Sequence, residues 1–128
     1  MNKLKKILLV DDDKAVNFIN RLTLIENNID CKVVEAMDGQ QALEHRAAHD
    51  ECPDIIFLDI NMPGMDGFEF LTELERRGKC CEHSNVFMLT SSIREEDKTR
   101  AMASSLVKGY FDKPLTGLHL REILDNAS

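Results

Sequence analysis

Short apolar runs alternate along the chain with longer segments in which apolar residues recur every three or four positions. Residues 7–10 and 55–58 are continuous apolar runs, typical of strands that helices cover on both faces. Spacings of three and four predict amphipathic helices instead. The alternation of the two patterns predicts an α/β fold with a doubly wound parallel sheet.

The pattern divides the chain into five units, each a strand followed by a helix. The predicted strands are residues 6–10, 30–35, 55–58, 85–89 and 108–111, and the predicted helices are about 13–27, 40–49, 68–78, 94–105 and 116–126. The apolar positions that predict the first helix are Ala15, Val16, Phe18, Ile19, Leu22 and Ile25. The candidate inner face of the second helix is Ala42, Leu43, Arg46 and Ala47.

Length and charge restrict the class of protein. With 128 residues, the chain fits one domain over positions 1–128, and we expect no output domain. Its 23 acidic and 16 basic residues give a net charge of −7, which disfavours direct binding to nucleic acid. No apolar run is long enough to cross a bilayer and no signal peptide is evident, so we expect a cytoplasmic protein without membrane insertion.

The four cysteines predict no disulfide. Cys31, Cys52, Cys80 and Cys81 occur in a chain with an adequate apolar core and no export signal, so reduced thiols are expected. Cys80 and Cys81 lie near His83, but the chain has no Cys-x-x-Cys pair, which argues against a zinc site.

Polar side chains stand where the predicted strands end. Asp11 and Asp12 follow the first strand, Asp59 the third, Thr90 the fourth and Lys113 the fifth. Open parallel sheets bind ligands beyond the carboxyl ends of their strands, where the strand order reverses. For the order 2-1-3-4-5 that reversal lies between strands one and three, so we expect the three acids to converge there.

Clustered carboxylates repel one another, and a divalent cation would offset that repulsion. Carboxylates, a loop carbonyl from Asn61 and several waters are ligands that Mg²⁺ prefers. A carboxylate in such a cluster can attack phosphorus to form an aspartyl-phosphate. Thr90 and Lys113 would then hold the phosphoryl oxygens.

Taken singly, each of these residues has an ordinary structural explanation. Aspartates at positions 11–13 would cap the first helix, Lys113 would be a surface lysine, and Thr90 would be a hydroxyl at a strand end. Their joint placement on four strand ends favours a functional site.

Four segments together resemble the receiver domain of two-component response regulators, across nearly the whole chain. They are residues 7–13 (ILLVDDD), 57–67 (FLDINMPGMDG), 88–91 (MLTS) and 109–114 (GYFDKP). The resemblance implies a flavodoxin-like five-stranded sheet of order 2-1-3-4-5. It also implies a stand-alone signalling receiver, not an enzyme with an external substrate, which catalyses only its own phosphorylation and dephosphorylation.

The resemblance assigns roles to individual residues. Asp59 would accept a phosphoryl group from a sensor histidine kinase or a histidine phosphotransfer protein, and Lys113 would contact that group. The Mg²⁺ ligands would be Asp11, Asp12, Asp59 and Asn61. Thr90 and Tyr110 would switch the face formed by the fourth helix, fifth strand and fifth helix, which then controls a downstream target protein. Lys113 would precede a cis proline.

Some features depart from the family or favour other classes. Ser91 replaces a common alanine, and Leu106 replaces the glycine that usually ends the fourth helix, so the extent of switching is open. A phosphatase of the haloacid dehalogenase type needs an aspartate where Asn61 stands. A flavodoxin-like electron carrier needs a phosphate loop that the acids of residues 11–13 would repel. The remaining alternative is a receiver that binds its partner without regulation by phosphate.

Overall fold

The computed structural model describes residues 4–48, 52–77, 84–91 and 94–126. The strands are β1 (Lys6–Val10), β2 (Lys32–Ala36), β3 (Ile55–Leu58), β4 (Asn85–Thr90) and β5 (Val107–Asp112). The helices are α1 (Lys14–Glu26), α2 (Gly39–Ala48), α3 (Gly67–Arg77), α4 (Glu95–Met102) and α5 (Gly117–Asn126). The predicted alternation of strands and helices is confirmed, and no helix among these residues is long and apolar enough to span a membrane.

All strand pairs are parallel, and the sheet order is β2-β1-β3-β4-β5. The expected order is therefore confirmed, with its reversal at β1 and β3. Successive side chains of a strand point to opposite faces, and both faces are covered here. Leu8 and Val10 lie in one buried apolar cluster, whereas Ile7 and Leu9 lie in a second. This two-sided burial explains why β1 and β3 are continuous apolar runs.

Helix α1 forms where expected but turns its apolar side chains outward. Its buried residues are Asn17, Asn20 and Leu24. The exposed fractions of its large apolar side chains are 58% for Phe18, 46% for Ile19, 41% for Leu22 and 60% for Ile25. Spacing establishes which side chains share a helix face, but the contacts of the two asparagines determine which face meets the sheet. The helix is therefore confirmed, although none of the six apolar positions that predict it is fully buried.

Two neighbouring substitutions test this orientation. Leu24→Ala should lower the free energy of unfolding by about 2–3 kcal/mol, because it leaves a cavity in the core. Ile25→Ala should change it by less than about 0.5 kcal/mol, because the Ile25 side chain is mostly exposed. Urea unfolding followed by circular dichroism measures both. A larger loss for Ile25→Ala would contradict the orientation.

Several element boundaries differ from the predicted ones. Helix α4 ends at Met102 and not near position 105, with Ala103 in a right-handed helical conformation as its C-cap. No non-glycine residue of the described chain except Asn28 has a positive φ, so α4 ends without a left-handed cap, as expected from Leu106. In α2, Ala42 and Leu43 are buried as predicted, whereas the side chains of Arg46 and Ala47 lie outside the described ones.

The cysteine prediction is wrong at one position. Cys31 is a free thiol, but Cys52 is disulfide-bonded. Cys80, Cys81 and His83, for which the zinc interpretation was considered, lie outside the described residues. Sequence spacing cannot reveal a disulfide bond, because the bond depends on the distance and direction of the two Cβ atoms in the folded chain.

Candidate functional site

Two buried aspartates lie side by side at the carboxyl edge of the sheet. Asp11 directly follows β1 and is 4% exposed, and Asp59 directly follows the neighbouring β3 and is 3% exposed. Their peptide N–H groups donate to Ala36 O and Val10 O, at 3.1 and 3.0 Å, and so fix both residues to adjacent strands. Asp12 is exposed, and one carboxylate oxygen from each of the three acids lies within 4.8 Å of the other two.

Lys113 bridges the two buried carboxylates. Its Nζ lies 3.1 Å from Asp11 Oδ2 and 3.2 Å from Asp59 Oδ2. Lys113 follows β5, and its peptide N–H donates to Thr90 O at 3.2 Å, which places the lysine beside the end of β4. The Lys113 ammonium thus contacts two of the three acids, and one positive charge cannot offset three carboxylates.

Burial and neighbouring charges shift the ionisation of this pair. Burial raises the pKa of Asp11, the N–H of Asp13 opposes this shift, and the charge of Asp59 raises the pKa further; the net direction is upward. Burial alone would lower the pKa of Lys113, but its hydrogen bond to Asp11 and the charge of Asp59 raise it above its ordinary value. The folded protein therefore resists ionisation of Asp11 and favours the charged form of Lys113.

Neutralising Asp11 should stabilise the protein without metal. Because its pKa is raised on folding, the folded state binds a proton more tightly than the unfolded chain does. The contribution of Asp11 to stability therefore falls as the pH rises through that raised pKa. At pH 7 without metal, Asp11→Asn should raise the melting temperature by about 2–4 °C.

Thermal melts in EDTA and in MgCl₂ check this prediction. Mg²⁺ should raise the melting temperature of the wild type and leave that of Asp11→Asn nearly unchanged, because the variant lacks one anionic ligand. A melting temperature in EDTA that is lower for the variant than for the wild type would contradict the electrostatic repulsion between Asp11 and the other acids.

The three consecutive aspartates have different tasks. Asp13 is the N-cap of α1, since its Oδ1 accepts hydrogen bonds from the N–H groups of Ala15 and Val16 at 2.9 and 3.4 Å. Asp11 Oδ1 accepts the N–H of Asp13 at 2.9 Å, which orients the Asp11 carboxylate. The capping interpretation is therefore correct for Asp13, whereas Asp11 and Asp12 belong to the acidic cluster.

Gly67 supports the backbone of Asp59, a role that sequence reasoning missed. The Gly67 N–H donates to Ile60 O at 2.9 Å, so the first residue of α3 packs against the chain that follows β3. A Cβ atom at Gly67 would overlap the Asp59 carbonyl oxygen and lie 3.0 Å from Ile60 Cα. The only signal in the sequence was a glycine just before the predicted third helix. A glycine there is equally well explained as a turn former, so its contact with Asp59 could not be predicted.

The remaining predicted residues lie around the cluster. Thr90 is fully buried as the last residue of β4. Tyr110 is half-buried in β5 and packs against the apolar cluster that contains Leu8 and Val10. Asn61 is exposed two residues beyond Asp59, and the role of its carbonyl as a metal ligand stays a prediction. The peptide bond before Pro114 is cis, as expected.

The donor set fits Mg²⁺. Asp11, Asp12 and Asp59 offer only oxygen, and their anionic character matches a hard divalent cation. Because Asp12 is exposed, the cluster opens to solvent on one side, and Mg²⁺ usually keeps several of its waters. No group of three histidine, cysteine or acidic side chains elsewhere in the described chain converges in this way.

Comparisons with known proteins agree with this geometry. The family model described as response regulator receiver domain matches residues 7–125. Chemotaxis protein CheY-3 of Vibrio cholerae is 35% identical over 125 residues, which are 98% of this chain and 92% of that protein. Sensor histidine kinase CheAY of Helicobacter pylori is 30% identical over 118 residues and 92% of this chain, and the chain spans 14% of the length of that kinase.

Solved structures are similar over almost the whole chain. A two component response regulator from Cytophaga hutchinsonii has a TM-score of 0.88 at 31% identity, covering 98% of this chain and 97% of that chain. The phosphorylated cyanobacterial phytochrome response regulator RcpA has a TM-score of 0.78 at 29% identity, covering 97% and 91%.

Proposed function

The chain belongs to the response regulator receiver family. We propose that it is a receiver switched by phosphorylation of Asp59. The observation that carries the proposal is the contact of Lys113 with both Asp11 and Asp59, at 3.1 and 3.2 Å. An ammonium group held between two buried carboxylates is already placed to neutralise an incoming phosphoryl group.

The proposed reaction is phosphoryl transfer from a phosphohistidine of a sensor histidine kinase or a histidine phosphotransfer protein. A carboxylate oxygen of Asp59 attacks phosphorus, the new O–P bond forms, and the P–N bond to the donor imidazole breaks. The imidazole nitrogen leaves with the electron pair of that bond. The Lys113 ammonium would move its contacts from the carboxylates to the phosphoryl oxygens as negative charge develops there. The chain would catalyse only its own phosphorylation and the subsequent hydrolysis of the phosphoryl group.

A magnesium ion would be held by Asp11, Asp12, Asp59 and the carbonyl of Asn61. When bound, it supplies positive charge that stabilises the transferring phosphoryl oxygens. Without it, the mutual repulsion of the three carboxylates would oppose the approach of an anionic donor. The oxygen-only donor set of the cluster supports this assignment.

Switching would start from Thr90 and end at a surface. The carbonyl oxygen of Thr90 accepts the peptide N–H of Lys113, so a phosphoryl group that engages Lys113 would form close to the end of β4, where Thr90 lies. Tyr110 lines a groove of about 690 Å³ that is also lined by Lys98, Met102 and Ile123 of α4 and α5. A shift of Thr90 and Tyr110 would reshape this α4-β5-α5 face, which a downstream target protein would recognise.

The proposed partners are proteins and not nucleic acid, because the net charge of −7 opposes binding to a polyanion. We place the reaction in the cytoplasm, where the ATP that charges a histidine kinase is found. The CheY-3 and RcpA similarities support this assignment to phosphate-controlled signalling.

Incubation with acetyl phosphate tests the proposal without knowledge of the kinase. In MgCl₂, intact mass spectrometry should find one added phosphoryl group, and EDTA should prevent the addition. Beryllofluoride, which mimics a bound phosphoryl group, should shift the Thr90 and Tyr110 amide resonances. If neither reagent acts on the protein, it is a receiver that binds its partner independently of phosphate.

A further inference from the structure

Helix α1 presents two asparagines to the sheet where apolar side chains would be expected. Asn17 is 0% exposed and Asn20 is 2% exposed, and their spacing of three residues places them on one face of the helix. A buried amide is unfavourable unless hydrogen bonds compensate for the loss of water. The contacts of these two side chains therefore indicate what they do.

The two asparagines bind two different loops of the site. Asn17 Nδ2 donates to the carbonyl oxygen of Asp11 at 2.9 Å. Asn20 Oδ1 accepts the peptide N–H of Leu115, also at 2.9 Å. The first loop carries an acid of the cluster, and Leu115 in the second follows Lys113 by two residues. In the sheet, β3 and β4 separate the strands from which these loops emerge.

One turn of α1 thus connects the backbone on both sides of the Lys113–Asp11 ion pair. The Nζ–Oδ2 distance of 3.1 Å in that pair depends on where each backbone is held. We propose that Asn17 and Asn20 are positioning residues for phosphoryl transfer, Asn17 for the acid and Asn20 for the lysine. The inference rests on the proposed function and adds two residues to the site.

Asn17 also shows a feature that a purely structural residue would not need. Its Oδ1 is buried and has no hydrogen-bond partner among the described residues. An unsatisfied buried acceptor is unfavourable, and an apolar side chain of similar size would avoid it. The part of the Asn17 amide that matters is therefore its N–H donor, which binds the carbonyl oxygen of Asp11.

A coupling experiment tests whether Asn20 acts through Lys113. Asn20→Leu removes the acceptor at similar volume and should slow phosphorylation by acetyl phosphate in saturating MgCl₂ about tenfold, the effect of one lost buried hydrogen bond. Asn20→Asp, which keeps the acceptor oxygen, should recover most of the rate. In a Lys113→Ala background, Asn20→Leu should cause no further loss.

The matched control is Phe18→Ala on the exposed side of the same helix, which should react at the wild-type rate. If Asn20→Leu fails to fold, Asn20→Ser replaces it, since serine is too short to reach Leu115. An unchanged rate for the Asn20 variant, or independent losses from Asn20 and Lys113, would overturn the inference. Failure of the proposed function is distinguishable, because the wild type itself would then not react.

Two further measurements separate the roles of Asn17 and Asn20: the affinity for Mg²⁺ and the environment of the Lys113 ammonium in metal-free protein. Calorimetric titration with MgCl₂ should find affinity lowered about tenfold by Asn17→Leu and changed less than about twofold by Asn20→Leu. In metal-free protein, Asn20→Leu should move the ¹⁵Nζ resonance of Lys113 toward that of the exposed Lys14. A merely structural role would lower the melting temperature of both variants equally and leave this resonance in place.

Discussion

Asp59→Asn is expected to abolish phosphorylation by acetyl phosphate while leaving the fold intact. An amide of the same shape fits the same space, but it carries no negative oxygen that can attack phosphorus. Asp59 is 3% exposed and contacts Lys113, so an asparagine of the same shape keeps the packing of the site while it removes the nucleophile. Intact mass spectrometry in MgCl₂ should find no added phosphoryl group on the variant under conditions that modify the wild type.

The stability of this variant is a second readout. Removing one of the crowded acids relieves repulsion with Asp11, so the metal-free melting temperature of Asp59→Asn should equal or exceed that of the wild type. A folded variant without phosphorylation separates a chemical role from a structural one. A phosphoryl group on the folded variant, at the wild-type rate, would assign the acceptor to another residue.

Asp54→Asn is the matched control, because Asp54 and Asp59 flank the same strand at opposite ends. Asp54 Oδ2 accepts the peptide N–H groups of Lys5 and Lys6, at 2.7 and 3.0 Å. Its replacement should lower the free energy of unfolding by about 1 kcal/mol through weaker hydrogen bonds. Its phosphorylation rate should match that of the wild type.

Gly67→Ala is expected to cause the largest combined loss of stability and activity. The added Cβ would overlap the carbonyl oxygen of Asp59 and crowd Ile60 Cα. Both of these are backbone atoms, so no side-chain rotation can relieve the overlap. Either α3 or the chain after β3 must shift, which should lower the free energy of unfolding by about 3 kcal/mol or more. A displacement of about 1 Å at the reacting carboxylate would slow phosphorylation about 10²-fold.

Gly64→Ala, in the loop between β3 and α3, distinguishes crowding at Asp59 from general damage to this part of the chain. Gly64 has a φ of 72°, and no atom beyond its two chain neighbours lies within 4 Å of the point where a Cβ would stand, so alanine there costs backbone strain alone. That strain is about 1–2 kcal/mol, and the phosphorylation rate should not change. Urea unfolding and timed mass measurements compare the two variants, and equal effects on rate would refute the role of Gly67.

The sequence was sufficient for the parts of the site that follow from local pattern. The apolar runs of β1 and β3 require helices on both faces of the sheet, and an acid directly after each run must then stand at the carboxyl edge. Because β1 and β3 are neighbours in the sheet, Asp11 and Asp59 converge. The order of the strands, and with it the pairing of β1 with β3, came partly from the family resemblance, as did the switching roles of Thr90 and Tyr110. The strand-end positions of Thr90 and Lys113 by themselves predicted that these residues hold the phosphoryl oxygens.

The rotation of α1 could be decided only by the tertiary structure. Periodicity gives the angle between side chains on a helix but not the direction in which either face points. Asn17 and Asn20 bind backbone groups at Asp11 and Leu115, which lie 6 and 95 residues away along the chain. Those contacts turn the apolar side chains of α1 toward solvent.

The chain by itself therefore determined the elements and the residues that end them, because both follow from local spacing and backbone preference. Only the tertiary structure decided the distances between these residues, and those distances are what form the site. The Lys113 contacts with Asp11 and Asp59 join residues 102 and 54 positions apart, and the fit of Gly67 against Asp59 depends on the approach of two backbones. Contacts of this kind are set by packing between elements, which no local pattern encodes.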